Sequence, residues 1–173
     1  IRLASDNDGI EGVWHSSKVD WLSRIRATAA TGAFHEGTTK AIAWRNVTVD
    51  QLNALVRSTF FPGAVHPWVD GDRVIFTSPA KNLDDEPMAS TDDEGRVTRV
   101  TESYHPYYSD LKTYDVDIEL DTGKLVTARV LHPLARTAYE RQVQDKAAAA
   151  KANGRLWREF WDFKDAFHSL RHA

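Results

Sequence analysis

The 173-residue chain has no cysteine and only one methionine, and it is sparing with proline and glycine, at six and nine. Without cysteine there is no disulfide, no thiolate nucleophile and no cysteine-held zinc or iron–sulfur centre. That fits a reducing compartment, so a cytoplasmic location is the expectation. No apolar run approaches the roughly 20 residues that span a bilayer. The chain opens on Ile1 rather than Met, which leaves the native start and any leader undefined. Catalytic signatures are missing too. There is no G-x-G-x-x-G or G-x-S-x-G, and TGKL at 122–125 lacks the upstream glycine and the Ser or Thr of a phosphate loop. His35-Glu36 misses the H-E-x-x-H zinc pattern because Thr39 holds the fifth position. SDNDG at 5–9 fails as a calcium loop, since Ala4 and His15 fall where the first and last acidic ligands belong. No motif names a reaction, and no cofactor is expected.

What is present describes an ordered globular protein. Hydrophobic residues make up 42% and charged residues 27%, with six Trp and seven Phe as bulky core material. A chain of this length buries roughly two thirds of its unfolded surface without staples. The net charge of −3 is unevenly placed: residues 80–95 carry six acids against Lys81, so the rest of the chain is net basic. With Pro79 and Pro87 nearby, this acidic segment reads as a mobile connection or binding loop. Scattered cations such as Arg24, Arg26, Arg45 and Arg57 make nucleic acid an unlikely partner, because phosphate neutralisation needs clustered charge.

Residues 1–13 read as loop. A helix follows Ser16 or Ser17, with Ser17 and Asp20 as a capping pair and Val19, Leu22, Ile25 and Ala29 on one face before Gly32. Residues 39–47 alternate with Ile42 and Trp44 on one side, which suits a strand. Thr48 and Gln51 then form a capping box for a second helix whose inner stripe is Leu52, Leu55, Val56, Thr59 and Phe60, closed by Pro62-Gly63. Thr48 also completes an Asn46-Val47-Thr48 sequon, which matters only in a secreted chain. RVIFTS at 73–78 and RVTRVTESY at 96–104 are further strands.

YDVDIELD at 114–121 places an acid at alternate positions, and a three-residue turn with Gly123 in the left-handed region follows. In that register Ile118 faces Val126 and Val116 faces Ala128, while Asp117 meets Thr127 and Asp115 meets Arg129. A slip of one residue would mix the two faces, so the acids are the wet side of a half-buried sheet rather than a metal site.

Pro133 opens a helix through ARTAYERQVQDKAAAAKA, and GRLWREFWDFKDAFHSLRHA forms a second one to the chain end. Its row of Leu156, Phe160, Phe163 and Phe167, flanked by Trp157 and Trp161, is too wide to stay bare. The expected fold is α+β: a mixed or antiparallel sheet of about five strands, two early helices and a C-terminal helical hairpin. The expected organisation is a core of residues 1–132 carrying acidic loop 80–95, with the hairpin of residues 133–173 packed on that core or on a partner.

Two constellations are candidate sites. Tyr104, Tyr107 and Tyr108, together with Trp157, Phe160 and Trp161, supply rigid amphipathic contact area of the kind found in binding surfaces. His66, His105 and His132 each precede proline, and three imidazoles converging on zinc or iron would make an enzyme. The leading expectation is a non-catalytic protein–protein interaction or assembly protein that engages another protein or itself; a short chain without motifs also suits a virus or mobile element. The alternatives are a metal-dependent hydrolase or nuclease built on those histidines or on the strand acids, and a nucleic-acid-binding protein.

Overall fold

The computed structural model describes residues 16–34, 36, 38–64 and 66–173; the expected loop at 1–13, the rejected calcium loop and His35 lie outside them. The chain divides into two compact units, one up to Ala64 and one from Val65 to Ala173.

In the first unit α1 (Lys18–Ala30) packs against α2 (Asn46–Phe60). Ser17 caps α1 as expected: its Oγ accepts from the Asp20 N–H at 3.2 Å and donates to the Asp20 carboxylate at 2.7 Å. Ile25 and Ala29 are buried, but Val19 is exposed and lies off the packed face. Gly32 follows the helix at φ +87°, a conformation glycine adopts without a Cβ clash. The expected strand at 39–47 does not form. Residues 39–45 are irregular, Arg45 is the cap residue, and Thr48 sits inside the first turn of α2 rather than before it. A strand needs a neighbour to take its backbone hydrogen bonds, and the described residues of this unit contain no other strand. Ile42 and Trp44 therefore stand in water, Trp44 fully exposed. In α2, Leu52 is buried; Thr59, assigned to the inner stripe, is exposed and donates to the Leu55 carbonyl.

The second unit is built on an antiparallel sheet. Its strands are β1 (Arg73–Phe76), β4 (Glu94–Tyr104), β5 (Lys112–Leu120), β6 (Leu125–Leu131) and β7 (Leu170–His172), in the order β6-β5-β4-β1-β7. β2 (Ala80–Lys81) and β3 (Pro87–Ala89) form a separate small hairpin. The β5–β6 register is the one the face pattern demands, with Ile118 opposite Val126, Val116 opposite Ala128, Asp117 opposite Thr127 and Asp115 opposite Arg129. Gly123 closes the turn at φ +82°, its N–H donating to the Leu120 carbonyl at 2.7 Å.

Three of the four acids in 114–121 have partners, Asp121 accepting from the Arg73 guanidinium at 2.7 and 2.9 Å. Asp117 accepts from Thr127 Oγ1 and from the Arg99 guanidinium, both at 2.7 Å, and Asp115 accepts from Arg129 Nε at 3.2 Å. On the opposite face Val74, Phe76, Val97, Tyr114, Val116 and Ile118 join Trp68 and Met88 in the main core.

β4 meets β5 very closely at Gly95. A Cβ there would stand 2.6 Å from the Glu119 carbonyl oxygen and 2.7 Å from Ile118 Cγ2. Gly95→Ala is therefore expected to destabilise the unit by about 1–3 kcal/mol through overpacking against backbone, read as a lower urea midpoint.

The acidic segment is more ordered than its composition suggests. Asn82 Oδ1 accepts from the N–H groups of Asp84 and Glu86, both at 2.9 Å, and Asp93 accepts from the Ser90 N–H at 2.7 Å. Asp85 and Asp92 take positive φ, which short polar side chains tolerate. Its acids are turn formers, and Met88 and Ala89 between them reach the core.

The C-terminal helices are α3 (Arg136–Ala152) and α4 (Trp157–Asp165), each entered through one turn of 3₁₀ helix. α4 stops well short of the expected end. After Phe167 the chain turns extended: the His168 N–H donates to the Arg129 carbonyl on β6, the Thr77 N–H donates to Ser169, and Leu170–His172 pairs with β1. The segment thus forms one edge of the sheet as β7 while His168 bonds to β6 at the other, which the sheet must curl to allow.

Candidate interaction surface

α3 and α4 pack on each other and on the β4–β5 and β6 ends of the sheet through a second apolar cluster. Leu111, Ala135 and Phe163 are its buried centre, with Tyr108, Leu131, Tyr139, Val143 and Phe167 around them. The rings meet as an aromatic lattice: Phe163 stacks on Tyr139 at 5.2 Å between centroids and meets Tyr108 edge-on at 4.8 Å. Burial pushes the Tyr108 and Tyr139 hydroxyls above their ordinary pKa. The inner row of α4 is therefore covered by the chain's own unit.

The outer edge of α4 is not. Trp157 is 37% and Trp161 50% exposed, while Phe160 between them is buried beneath both rings. Lys164 lies over Trp161 at 5.1 Å and over Phe160 at 5.7 Å, and Lys146 is held by Glu159 at 2.8 Å. Arg155, Arg158 and Glu159 lie near the start of the helix and Asp162, Lys164 and Asp165 at its end, all exposed; Glu159 is taken by Lys146, and Arg158 Nε stands 3.9 Å from Asp162. The tyrosine segment splits as well. Tyr108 and Tyr114 point inward, whereas Tyr104 and Tyr107 are exposed.

The three His-Pro histidines are distributed over two places. His105 is buried among Tyr107, Tyr108 and Phe167, and His132 stacks on Tyr114 at 4.6 Å, with His66 edge-on to the same tyrosine at 6.2 Å. In both buried cases the dipeptide does the same job. Nδ1 accepts the backbone N–H two residues on, from Tyr107 for His105 and from Leu134 for His132, each at 3.1 Å. Proline supplies no N–H at the intervening position and holds the histidine extended, so the imidazole caps the turn as an aspartate would.

Sequence reasoning missed Glu102 at this site. Its carboxylate lies 3.9 Å from His66 Nδ1 and 3.8 Å from His132 Nε2, and it is paired with the Lys112 ammonium, which holds its pKa below the usual range. Lys112 places a positive charge where a metal ion would need the carboxylate. Among the described residues no group of three or more His, Asp and Glu side chains is arranged to hold a metal ion. The only sequence signal for Glu102 is its place on the strand leading to the tyrosines.

Among the described residues His105 is strongly displaced. Burial, reinforced by the Arg129 charge, lowers its pKa to about 4, so it is neutral at pH 7. His168 is also lowered, again by burial first and Arg129 after it.

The geometry defines an α+β domain with a curled antiparallel sheet, a covering helical hairpin and a tryptophan edge left open. No family model matches the chain, and no curated protein is significantly similar to it. Among the described residues no helix is long and apolar enough to cross a membrane.

Proposed function

We propose that this chain is a non-catalytic assembly protein that binds a second copy of itself through the outer edge of α4. The observation that carries the reading is the half-exposed pair Trp157 and Trp161 on a helix whose other side is already packed. Tryptophans in such positions dominate interface energetics. The charge order favours a copy of the same helix as the occupant. Two α4 helices crossing antiparallel set Arg155 and Arg158 of one against Asp162 and Asp165 of the other, exchanging the exposed intrachain Arg158–Asp162 pair for a self-complementary arrangement that two-fold symmetry repeats twice. Tyr104 and Tyr107 offer exposed contact area of the same kind elsewhere on the unit.

Sedimentation velocity across a concentration series tests this. The wild type is expected to associate reversibly, and replacing both Trp157 and Trp161 by alanine is expected to weaken association at least about 30-fold, as loss of a hot spot does. Arg158→Asp should weaken it alone and Asp162→Arg in the same chain should restore it. A wild type that remains monomeric throughout, or association indifferent to all these changes, overturns the reading.

A further inference from the structure

We propose that His168 is a proton-sensitive latch, which ties the C-terminal segment 168–173 across both edges of the sheet at neutral pH and releases it on acidification. The geometry around the ring admits one protonation state. Nδ1 accepts from the Arg129 N–H at 2.8 Å on β6, and Nε2, 2.9 Å from the Lys81 carbonyl on β2, donates to it. The His168 backbone N–H adds a third bond, to the Arg129 carbonyl at 2.8 Å. A second proton on Nδ1 would point straight at the Arg129 N–H, donor against donor, and the contact must open to accommodate it.

The surroundings sharpen this. The charged groups facing the ring are Arg129 on β6 and Asp115 on β5, and His105 approaches from the β4–β5 connection. Arg129 opposes a cationic imidazole, while Asp115 is already engaged with Arg129. From β2 the ring meets the Lys81 carbonyl, and that residue's ammonium is turned to Asp85. Burial places the pKa of His168 below the ordinary 6.5, in keeping with a ring that resists charging until the segment lets go.

Beyond the latch the segment is fastened mostly by hydrogen bonds. Thr77 donates through its N–H to the Ser169 carbonyl at 3.0 Å and through Oγ1 to Ser169 Oγ at 2.6 Å, and the Ala173 N–H donates to Arg73 at 3.0 Å. Leu170 is partly buried against the main core, and His172 stacks on Trp68 at 4.6 Å and lies 4.0 Å from the Asp72 carboxylate, a contact at the far end of the segment that acid does not weaken. Release would bare backbone of β6 and β1 together. This inference is independent of the α4 reading.

Hydrogen exchange of the full chain at pH 7.5 and 5.5, corrected for intrinsic rates, tests the latch. The amides of Arg129, Thr77 and Ala173 are expected to lose about tenfold in protection, because a closed state that excludes the proton is disfavoured tenfold for each pH unit below the free-imidazole value. Val116 and Ile118 in the sheet centre exchange only on global unfolding and should stay better protected than Arg129, Thr77 and Ala173 at both pH values. His168→Asn keeps an acceptor near the Nδ1 position without titrating, and should make protection at Arg129 and Thr77 independent of pH. Unchanged wild-type protection, or an equal pH response in the variant, overturns the latch. Nitrogen NMR of the wild-type imidazole gives a second test if that variant does not fold. A neutral-pH ring protonated at Nε2, titrating together with the loss of protection, supports the latch; a ring protonated at Nδ1, or one that titrates while protection persists, refutes it.

Discussion

Phe163→Ala is expected to lower the stability of the second unit by about 3–5 kcal/mol, the largest effect of any single truncation considered. Phe163 is fully buried, and its ring touches Tyr108, Tyr139 and Phe167 while Lys146 lies over its face at 5.3 Å. Removing it costs the transfer energy of the ring and leaves a cavity between α3, α4 and the sheet. The neighbours close this space only partly, since each is fixed by its own stacking partner. Near-ultraviolet circular dichroism should lose the signal of the packed tyrosines in step with a reduced urea midpoint. A loss under about 1 kcal/mol would mean that the hairpin is only loosely docked and that Phe163 is not central to it.

Acid should remove a comparable amount, through His105. Its pKa in the folded chain is about 4, against an ordinary 6.5, so the unfolded chain takes up the proton first as pH falls. The sign follows directly: stability is fully present above about pH 6.5, declines as pH drops toward 4, and stops declining on this account below that. Integrated over the window, the loss is about 3 kcal/mol. His168 acts in the same direction, so the two histidines reinforce each other. Urea titrations at pH 7.5 and 5.5 stay above the ordinary values of 4.5 and 3.8 at which Glu102 and Asp85, both lowered in the folded chain by Lys112 and Lys81, begin to cost stability. His105→Asn, which retains an acceptor for the Tyr107 N–H, should flatten the pH dependence. An equally steep dependence in that variant would place the acid sensitivity elsewhere.

The parts of this fold that could be read from sequence are those set by neighbours along the chain. Asp115 and Asp117 alternate with Val116 and Ile118, and that pattern alone chose the β5–β6 register, because a one-residue slip puts carboxylates into the core. Ser17 capping α1 is equally local. The failures are non-local. Ile42 and Trp44 have the strand period, but whether a strand forms depends on a partner that the pattern does not specify. Leu170–His172 was read as helix because three residues carry no period, and its strand state comes from β1, almost a hundred positions earlier. The acidic segment was read by composition, whereas Asn82 and Asp93 make it a hairpin through specific side-chain to backbone bonds.

The aromatic candidates were legible as a set but not as individuals. Helical spacing put Trp157, Phe160 and Trp161 together, yet it does not say that Phe160 lies buried against both tryptophan rings while these remain at the rim. The His-Pro histidines suggested a ligand set, and the structure gives two of them a backbone-capping role that no spacing rule announces. Glu102 was invisible because its significance lies in the cross-strand approach of Lys112 and the stacking of His132 on Tyr114.

The absence of cysteine provides the most direct test of the assembly surface, since a single introduced cysteine carries a unique label. With a nitroxide at Ala152→Cys, an exposed position at the end of α3 outside the proposed contact, pulsed dipolar electron paramagnetic resonance on the full chain reports the separation of the two copies in an associated pair. The account predicts a defined inter-chain distance that grows in amplitude with concentration and disappears when Trp157 and Trp161 are both alanine. A signal with no inter-chain dipolar component at any concentration, or one unaltered by the tryptophan changes, would contradict it.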